Sequence, residues 1–344
     1  MVSSRRIMDI WMAVLLVMIM SLTGCGAQGQ SAGQTEQQEN KENAEPNTDK
    51  SSTEQKQKES EQQTGSTRVV TDAFGEVEIP VKPQRVAALY LEDYIVALGQ
   101  QPVVQWYTHT WGTQEYLNLD VPLFDMDGSI EALLDVNPDL IILPGDPDAA
   151  KYEQYSKIAP TYWLPTDVNQ NMPKTLETMG DLLGATDKAK DVLAQYEQKA
   201  AEAKGKLEKA IGKETVAVIR QSGKDKSLAL FSAHKGFIGP TMYTDLGLTP
   251  HKLVTDIKDY HAQLSLEKIP ELDADHIFIF PSNGDWNTDY NKEAIAELEG
   301  ATLWKNLPAV KNGHVYKVER SHWQTTAVTA KMMQIDDVVK MLVK

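Results

Sequence analysis

The chain has 344 residues, with 34 Lys and Arg against 49 Asp and Glu and a formal net charge of −15. Residues 1–25 hold two bases and one acid and residues 26–66 hold four and eight, which leaves 28 bases and 40 acids in residues 67–344. A body that acidic repels nucleic acid phosphates and anionic lipid heads, and a single cysteine, Cys25, excludes an intramolecular disulfide, a cysteine zinc site and an iron–sulfur cluster.

Arg5 and Arg6 precede an apolar run from Ile10 to Met20, which ends in Ser21-Leu22-Thr23-Gly24-Cys25. A basic start, a short apolar stretch and a small-residue end read as a secretory signal. The run has 11 residues, whereas a membrane-spanning helix needs about 20. Leu22-Thr23-Gly24-Cys25 resembles the lipobox of bacterial lipoproteins, which implies that Cys25 becomes the lipidated first residue of the mature chain. A plain cleaved signal with a free thiol is the alternative. Residues 26–66 contain no Val, Ile, Leu, Met, Phe, Trp or Tyr. Such a stretch has no apolar area to bury against the entropy of ordering, so it reads as a flexible tether with a reach of about 35 Å.

The body opens with alternating residues from Arg68 to Pro80 and a turn at Gly75, the pattern of a small hairpin. Short apolar runs follow at Arg85–Tyr90, Pro102–Gln105, Asp139–Leu143 and Pro160–Leu164. Helical patterns separate them at Glu92–Gly99, Ile130–Val136 and Ala149–Ile158. Strands alternating with helices predict a mostly parallel sheet covered on both faces. From Met172 to Ile211 the pattern is helical, broken at Gly184, with Thr186 as the expected N-cap of the second part. There Ala189, Val192, Leu193, Tyr196, Ala200, Ala203, Leu207 and Ile211 fall three and four apart in one apolar stripe. The strand–helix pattern resumes at Thr215–Ile219, Ser227–Phe231, His276–Phe280 and His314–Val318, and a periodic helix from Thr325 to Leu342 closes the chain.

An internal repeat supports a division into two lobes. Ser129-Ile130-Glu131-Ala132-Leu133 leads to Asp139-Leu140-Ile141, and Ser265-Leu266-Glu267-Lys268-Ile269 leads to Asp275-His276-Ile277. Each reads as a capping Ser, a first-turn Glu, a short helix and an Asp that opens a buried strand. The expected organisation is signal peptide 1–25, tether 26–66, N-terminal αβ lobe 67–167, interlobe helical segment 168–212 and C-terminal αβ lobe 213–344.

Ordered stretches across the body resemble the class III solute-binding proteins of bacterial ABC importers, the group that carries ferric siderophores, heme and cobalamin. They include Asp72-Ala73-Phe74-Gly75, Ile79-Pro80, Pro83-Gln84-Arg85-Val86, Asn137-Pro138-Asp139-Leu140-Ile141-Ile142, Ser265-Leu266-Glu267 and Trp304-Lys305-Asn306-Leu307-Pro308-Ala309-Val310. The resemblance implies an α/β fold of two αβ lobes with mostly parallel sheets, joined by one long rigid helix, with the ligand in the cleft between them. It also implies limited hinge closure and a monomer that docks on a permease dimer served by an ATPase. Family members engage the permease with one acid on each lobe, a role that falls to Glu131 and Glu267. A helix-dipole role is the bland alternative for both.

In open αβ sheets ligands sit beyond the carboxyl ends of the strands. Tyr90, Trp106, Tyr107, Trp111, Arg220, Phe237, Trp286, Arg320 and Trp323 fall at such ends. Large aromatic faces suit a bulky, partly apolar ligand, and the arginines offer planar donor forks to its anionic oxygens. Trp163 and Trp304 are expected in the core. The seven His are scattered without the spacing of a direct zinc or manganese carrier, so no metal ligand and no resident cofactor are expected. Iron would enter only inside a chelator that fills its coordination sphere. Few bases at the strand ends favour hydroxamate or citrate–hydroxamate siderophores over tris-catecholates. Heme, with His109, Tyr107 or His322 as an axial ligand, and cobalamin are the alternatives within the family. A secreted αβ hydrolase is the alternative of another class, although the chain lacks a Gly-x-Ser-x-Gly elbow, an HExxH and a P-loop.

Overall fold

The computed structural model describes residues 66–126, 130–222 and 227–344. The signal segment with Cys25, the tether before Ser66, and Ser129 of the repeat lie outside those residues. The chain enters as a hairpin of β1 (Thr67–Asp72) and β2 (Gly75–Pro80), paired antiparallel from Thr67↔Pro80 to Asp72↔Gly75. Ala73 and Phe74 alone connect the strands, and Gly75 takes a φ of 124° that a side chain would oppose. One Asp72 oxygen accepts the Phe74 amide at the turn and the other accepts the Trp163 amide, which ties the hairpin to the first sheet.

That lobe continues as β3 (Val86–Ala88), α1 (Glu92–Ala97), β4 (Gln105–Tyr107) and β5 (Leu123–Asp125). It ends with α2 (Glu131–Asp135), β6 (Leu140–Leu143), α3 (Ala149–Ser156) and β7 (Thr161–Trp163). β3, β6 and β7 run parallel in that order, and β4 pairs parallel with β5. The Val103 amide reaches the Val86 carbonyl at 3.0 Å and brings β4 alongside β3. The expected strand at Pro102–Gln105 thus begins three residues later, at Gln105.

Three helices follow: α4 (Thr166–Asn169), α5 (Met172–Leu182) and α6 (Thr186–Ile211). α6 has 26 residues, about 39 Å at 1.5 Å per residue. The stripe read from the sequence is its buried face, with Leu193 half-buried at the edge. Thr186 does not cap it. The N-cap position is Ala185, without a side-chain bond, and Thr186 is the first helical residue. α5 crosses α6 closely, because a Cβ built on Gly180 would stand 2.6 Å from the Ala189 Cβ.

The second lobe comprises β8 (Thr215–Ser222), β9 (Ser227–Phe231), β10 (Thr249–Pro250), α7 (Lys252–Asp256), β11 (His261–Ser265) and β12 (His276–Phe280). Then come α8 (Asp289–Gly300), α9 (Thr302–Lys305), α10 (Pro308–Lys311), β13 (Val315–Lys317), α11 (Arg320–Trp323) and α12 (Val328–Leu342). The sheet order is β11-β9-β8-β12-β13, with β10 against the start of β8. β8, β12, β13 and β10 pair parallel, whereas β9 and β11 are antiparallel additions. The repeat has a physical counterpart. Asp139 accepts the amides of Gln84 and Arg85 ahead of β3, and Asp275 accepts the amide and hydroxyl of Thr215 at the start of β8.

Strand alternation sorts the interior into three layers. Leu140 and Ile142 of β6 and Val216 and Val218 of β8 point into one central core, which also takes the α5 and α6 stripes and α12. Ile141 and Leu143 face an outer core of the first lobe, and Ala217 and Ile219 face an outer core of the second. The two lobes therefore share their middle. They are also stitched by polar groups. α12 begins after Ala327, which has no side-chain oxygen to cap it. Buried Asp93 of α1 fills that role, accepting the Thr329 amide at 2.9 Å and the Ala330 amide at 3.1 Å. Tyr116 donates to the same carboxylate at 2.8 Å.

Gly180→Ala should destabilise the protein by about 1–3 kcal/mol, because the overpacking outweighs the helix propensity gained; a urea midpoint at or above that of wild type contradicts the close crossing. Asp93→Ala strands two helix amides and a tyrosine hydroxyl, and should lower stability by about 3 kcal/mol in the same assay.

Candidate functional site

At the carboxyl end of β3 the backbone of Tyr90 adopts a φ of 62°, left-handed for a residue with a bulky side chain. This turn aims the ring at Trp106 on β4, with centroids 4.6 Å apart, and Trp111 continues the row 6.1 Å beyond Trp106. Thr108 and Gly112 pair across the loop, and the Thr108 hydroxyl accepts the Trp111 amide, so Trp111 is held although it is 45% exposed. The Tyr90 hydroxyl donates to the Gln324 carbonyl at 2.7 Å, and burial pushes it up to about 12.

The second lobe brings two cations to this shelf. Arg320 opens α11, donates through Nε to Ser282 and through Nη1 to the Trp111 carbonyl at 3.0 Å, and lies 5.7 Å from the Trp111 ring centroid. Burial lowers its guanidinium to about 10, helped by the nearby charge of Arg220. Arg220 lies within β8 rather than after it, because the strand runs on through Ser222 to pair with β9. It reaches Gln324 Oε1 at 3.4 Å and lies against Phe231, and burial lowers it as well. Among the described residues neither arginine is in an ion pair. Two partly desolvated guanidiniums close enough to feel each other's charge can donate to anionic oxygens.

The remaining expected site residues do not join the row. Tyr107 bonds His109 at 3.3 Å beside the row. Phe237 packs on the central core, and the Trp286 indole donates to the Val318 carbonyl at 2.9 Å with Lys317 near its ring. Trp323 is not a cleft residue. It is fully buried, stacked on Phe278, and its indole donates to Asp337 of α12 at 2.9 Å, which satisfies its only polar atom inside the core. His322 is also buried on Asp337, at 2.7 Å, and is no axial-ligand candidate for heme. Trp163 and Trp304 are core residues, as expected.

Sequence reasoning missed Gln324 and Glu92. Gln324 joins Tyr90 to Arg220, and nothing in its local pattern distinguishes it. Glu92 reads as an ordinary first-turn acid, yet it is fully buried beneath the shelf, with Oε1 accepting the Trp106 amide at 2.5 Å and Oε2 without a partner. Burial pushes its carboxyl from 4.5 up to about 7. Glu131 and Glu267 are exposed, each in the first turn of a short helix, α2 and the 3-10 helix Leu266–Glu271. Ser265 precedes the latter without a side-chain capping bond. Among the described residues no group of three or more His, Asp or Glu could hold a metal ion, and no helix is long and apolar enough to cross a membrane.

Residues 92–320 match the family model described as periplasmic binding protein. The chain is 34% identical to the iron(3+)-hydroxamate-binding protein FhuD of Bacillus subtilis over 220 residues, 63% of this chain and 66% of that one. It is 29% identical to the iron(3+)-hydroxamate-binding protein YxeB of the same organism over 277 residues, 78% of this chain and 83% of the other. Among solved structures it matches a FhuD fold-family periplasmic binding protein component of a Fep/Fec-like ferrichrome ABC transporter from Bacillus subtilis. That match has a TM-score of 0.67 and 30% identity, and covers 80% of this chain and 100% of that one. These relatives are binding proteins, which sets aside the hydrolase alternative.

The folded state holds a proton on Glu92 more tightly than the unfolded chain does, since the carboxyl rises from 4.5 to about 7. Its contribution to stability is therefore complete below the unfolded value and lost as pH rises through the folded one. Relative to Glu92→Gln, wild type should lose about 3 kcal/mol across that window. Denaturant midpoints of both proteins at several pH values check this, and a difference independent of pH contradicts it.

Proposed function

We infer that this chain, which belongs to the periplasmic binding protein family, is the substrate-binding lipoprotein of an ABC importer and captures a ferric siderophore, with hydroxamate or citrate–hydroxamate chelates favoured. The observation that carries this reading is the meeting of Arg220 and Arg320 with the Tyr90–Trp106–Trp111 row at the strand ends of the two lobes. Aromatic faces receive the bulk of a chelate, and two guanidiniums receive its iron-bound oxygens. Two cations suit a complex of low charge better than a tris-catecholate of about −3. The names of the two Bacillus relatives support the same choice. The chelator satisfies the iron, so the protein needs no metal ligand of its own.

Delivery to the permease falls to Glu131 and Glu267, one on each lobe. Their helices have five and six residues and the second is 3-10 with Pro270 inside it, so there is little dipole for the acids to complement. Cys25 would carry the lipid that holds the protein at the outer face of the membrane, with residues 26–66 as the tether. The shared central core, with α6 running through it, favours small closing motions over wide rotations.

Titration with ferrioxamine should quench tryptophan fluorescence saturably at submicromolar ligand, and Arg320→Gln should weaken binding about tenfold or more. Joint Glu131→Lys and Glu267→Lys should abolish uptake by cells with affinity unchanged; lost affinity would sink the docking role. Absence of quenching removes the hydroxamate preference and makes catecholate, citrate-type chelate, heme and cobalamin the next ligands.

A further inference from the structure

A cavity of about 190 Å³ lies in the first lobe beside Trp106. Leu89, Trp106, Met126, Leu143, Tyr155 and Trp163 line it. Five of these stand in or just after β3, β4, β5, β6 and β7 respectively, so the cavity caps the carboxyl edge of every strand in the body of that lobe. Open α/β sheets place ligands at that edge. Trp106 belongs both to the cavity wall and to the aromatic row that receives the chelate.

The chemistry of the wall is selective. Two indoles and a phenol ring surround an apolar space, and Asp146, Asp148 and Lys151 form the rim. Asp148 is engaged with the first amides of α3, at 3.0 and 3.1 Å, as the cap of that helix. Asp146 follows Gly145, whose carbonyl accepts the Trp163 indole at 3.1 Å, and this bond fixes the loop that carries the carboxylate. Two acids against one base leave the rim net negative, and the faces of Trp and Tyr attract cations. A cavity of that volume has room for a short alkyl chain ending in an ammonium.

We propose that this cavity is a subsite for a cationic alkylammonium arm of the bound chelate, which makes linear hydroxamates with a pendant amine the preferred ligand class. The proposal rests on the ferric-hydroxamate reading above. The iron-bearing part of the ligand lies against Tyr90, Trp111 and the two arginines, while the arm passes Trp106 into the cavity. The ammonium sits at the rim with Asp146.

The test compares three ferric chelates on the full chain by tryptophan quenching: ferrioxamine with its free aminopentyl arm, the same chelate N-acetylated, and ferrichrome, which has no arm. Wild type should bind the amine form about tenfold more tightly than the acetylated form. Asp146→Asn should reduce that ratio to about twofold, and Met126→Trp, which fills the cavity, should abolish it. Ferrichrome binding by each variant reports that the protein is folded and the main site intact. Equal affinities of wild type for the amine and acetylated forms overturn the subsite and leave the hydroxamate reading standing. A preference that survives both substitutions also overturns it. If none of the three chelates binds, the hydroxamate reading fails and the subsite fails with it.

Discussion

A carboxylate on one lobe caps a helix of the other. Asp93 reaches from α1 to the first amides of α12, where the chain itself offers only Ala327. Around this bond the rest of the interlobe contact is organised: Tyr116 supports the carboxylate, Tyr94 reaches the Thr326 carbonyl, and Tyr90 reaches Gln324. Burial raises the carboxyl of Asp93 above its ordinary value, against the opposing effect of its hydrogen bonds. The site depends on the same bond, because α11 and the connection before α12 carry Arg320 and Gln324.

The shelf shows a division of labour between strained and unstrained backbone. Tyr90 occupies a left-handed position that costs energy, of order 1–3 kcal/mol for a residue of this kind. The cost is sustained because its ring and hydroxyl are fixed by Trp106 and Gln324. Arg220, in contrast, projects from a strand hydrogen-bonded on both sides, by β9 and β12. A ligand would meet donors whose positions are set before it arrives, and preorganisation of this kind favours tight binding because little order has to be created.

Much of the architecture is legible in the residues. The apolar runs of β6, β8 and β12 are buried on both faces, and the α6 stripe is spaced at helical period, so both stand out. β5 and β11 escape because they are short or exposed: Leu123 and Asp125 of β5 face solvent, as does most of β11. Among the aromatic residues at strand ends, Tyr90, Trp106 and Trp111 do come together in one row. Trp323 does not join them, because α11 turns its indole inward onto Asp337 fourteen residues later, a partner that only tertiary folding supplies. Gln324 and Glu92 were invisible for the same reason, since their roles come from groups distant in sequence or from burial that an acid does not advertise.

The shared central core bears on how such a protein changes over evolutionary time. The two lobes carry the same Asp-led device, Asp139 in one and Asp275 in the other, as halves of a duplicated unit would. Yet neither half has an inner surface of its own, because the inner faces of both sheets meet α5, α6 and α12 in one interior. Loops at the strand ends can vary without disturbing that interior. It cannot exchange one half for that of another protein without redesigning the helices that both halves have in common.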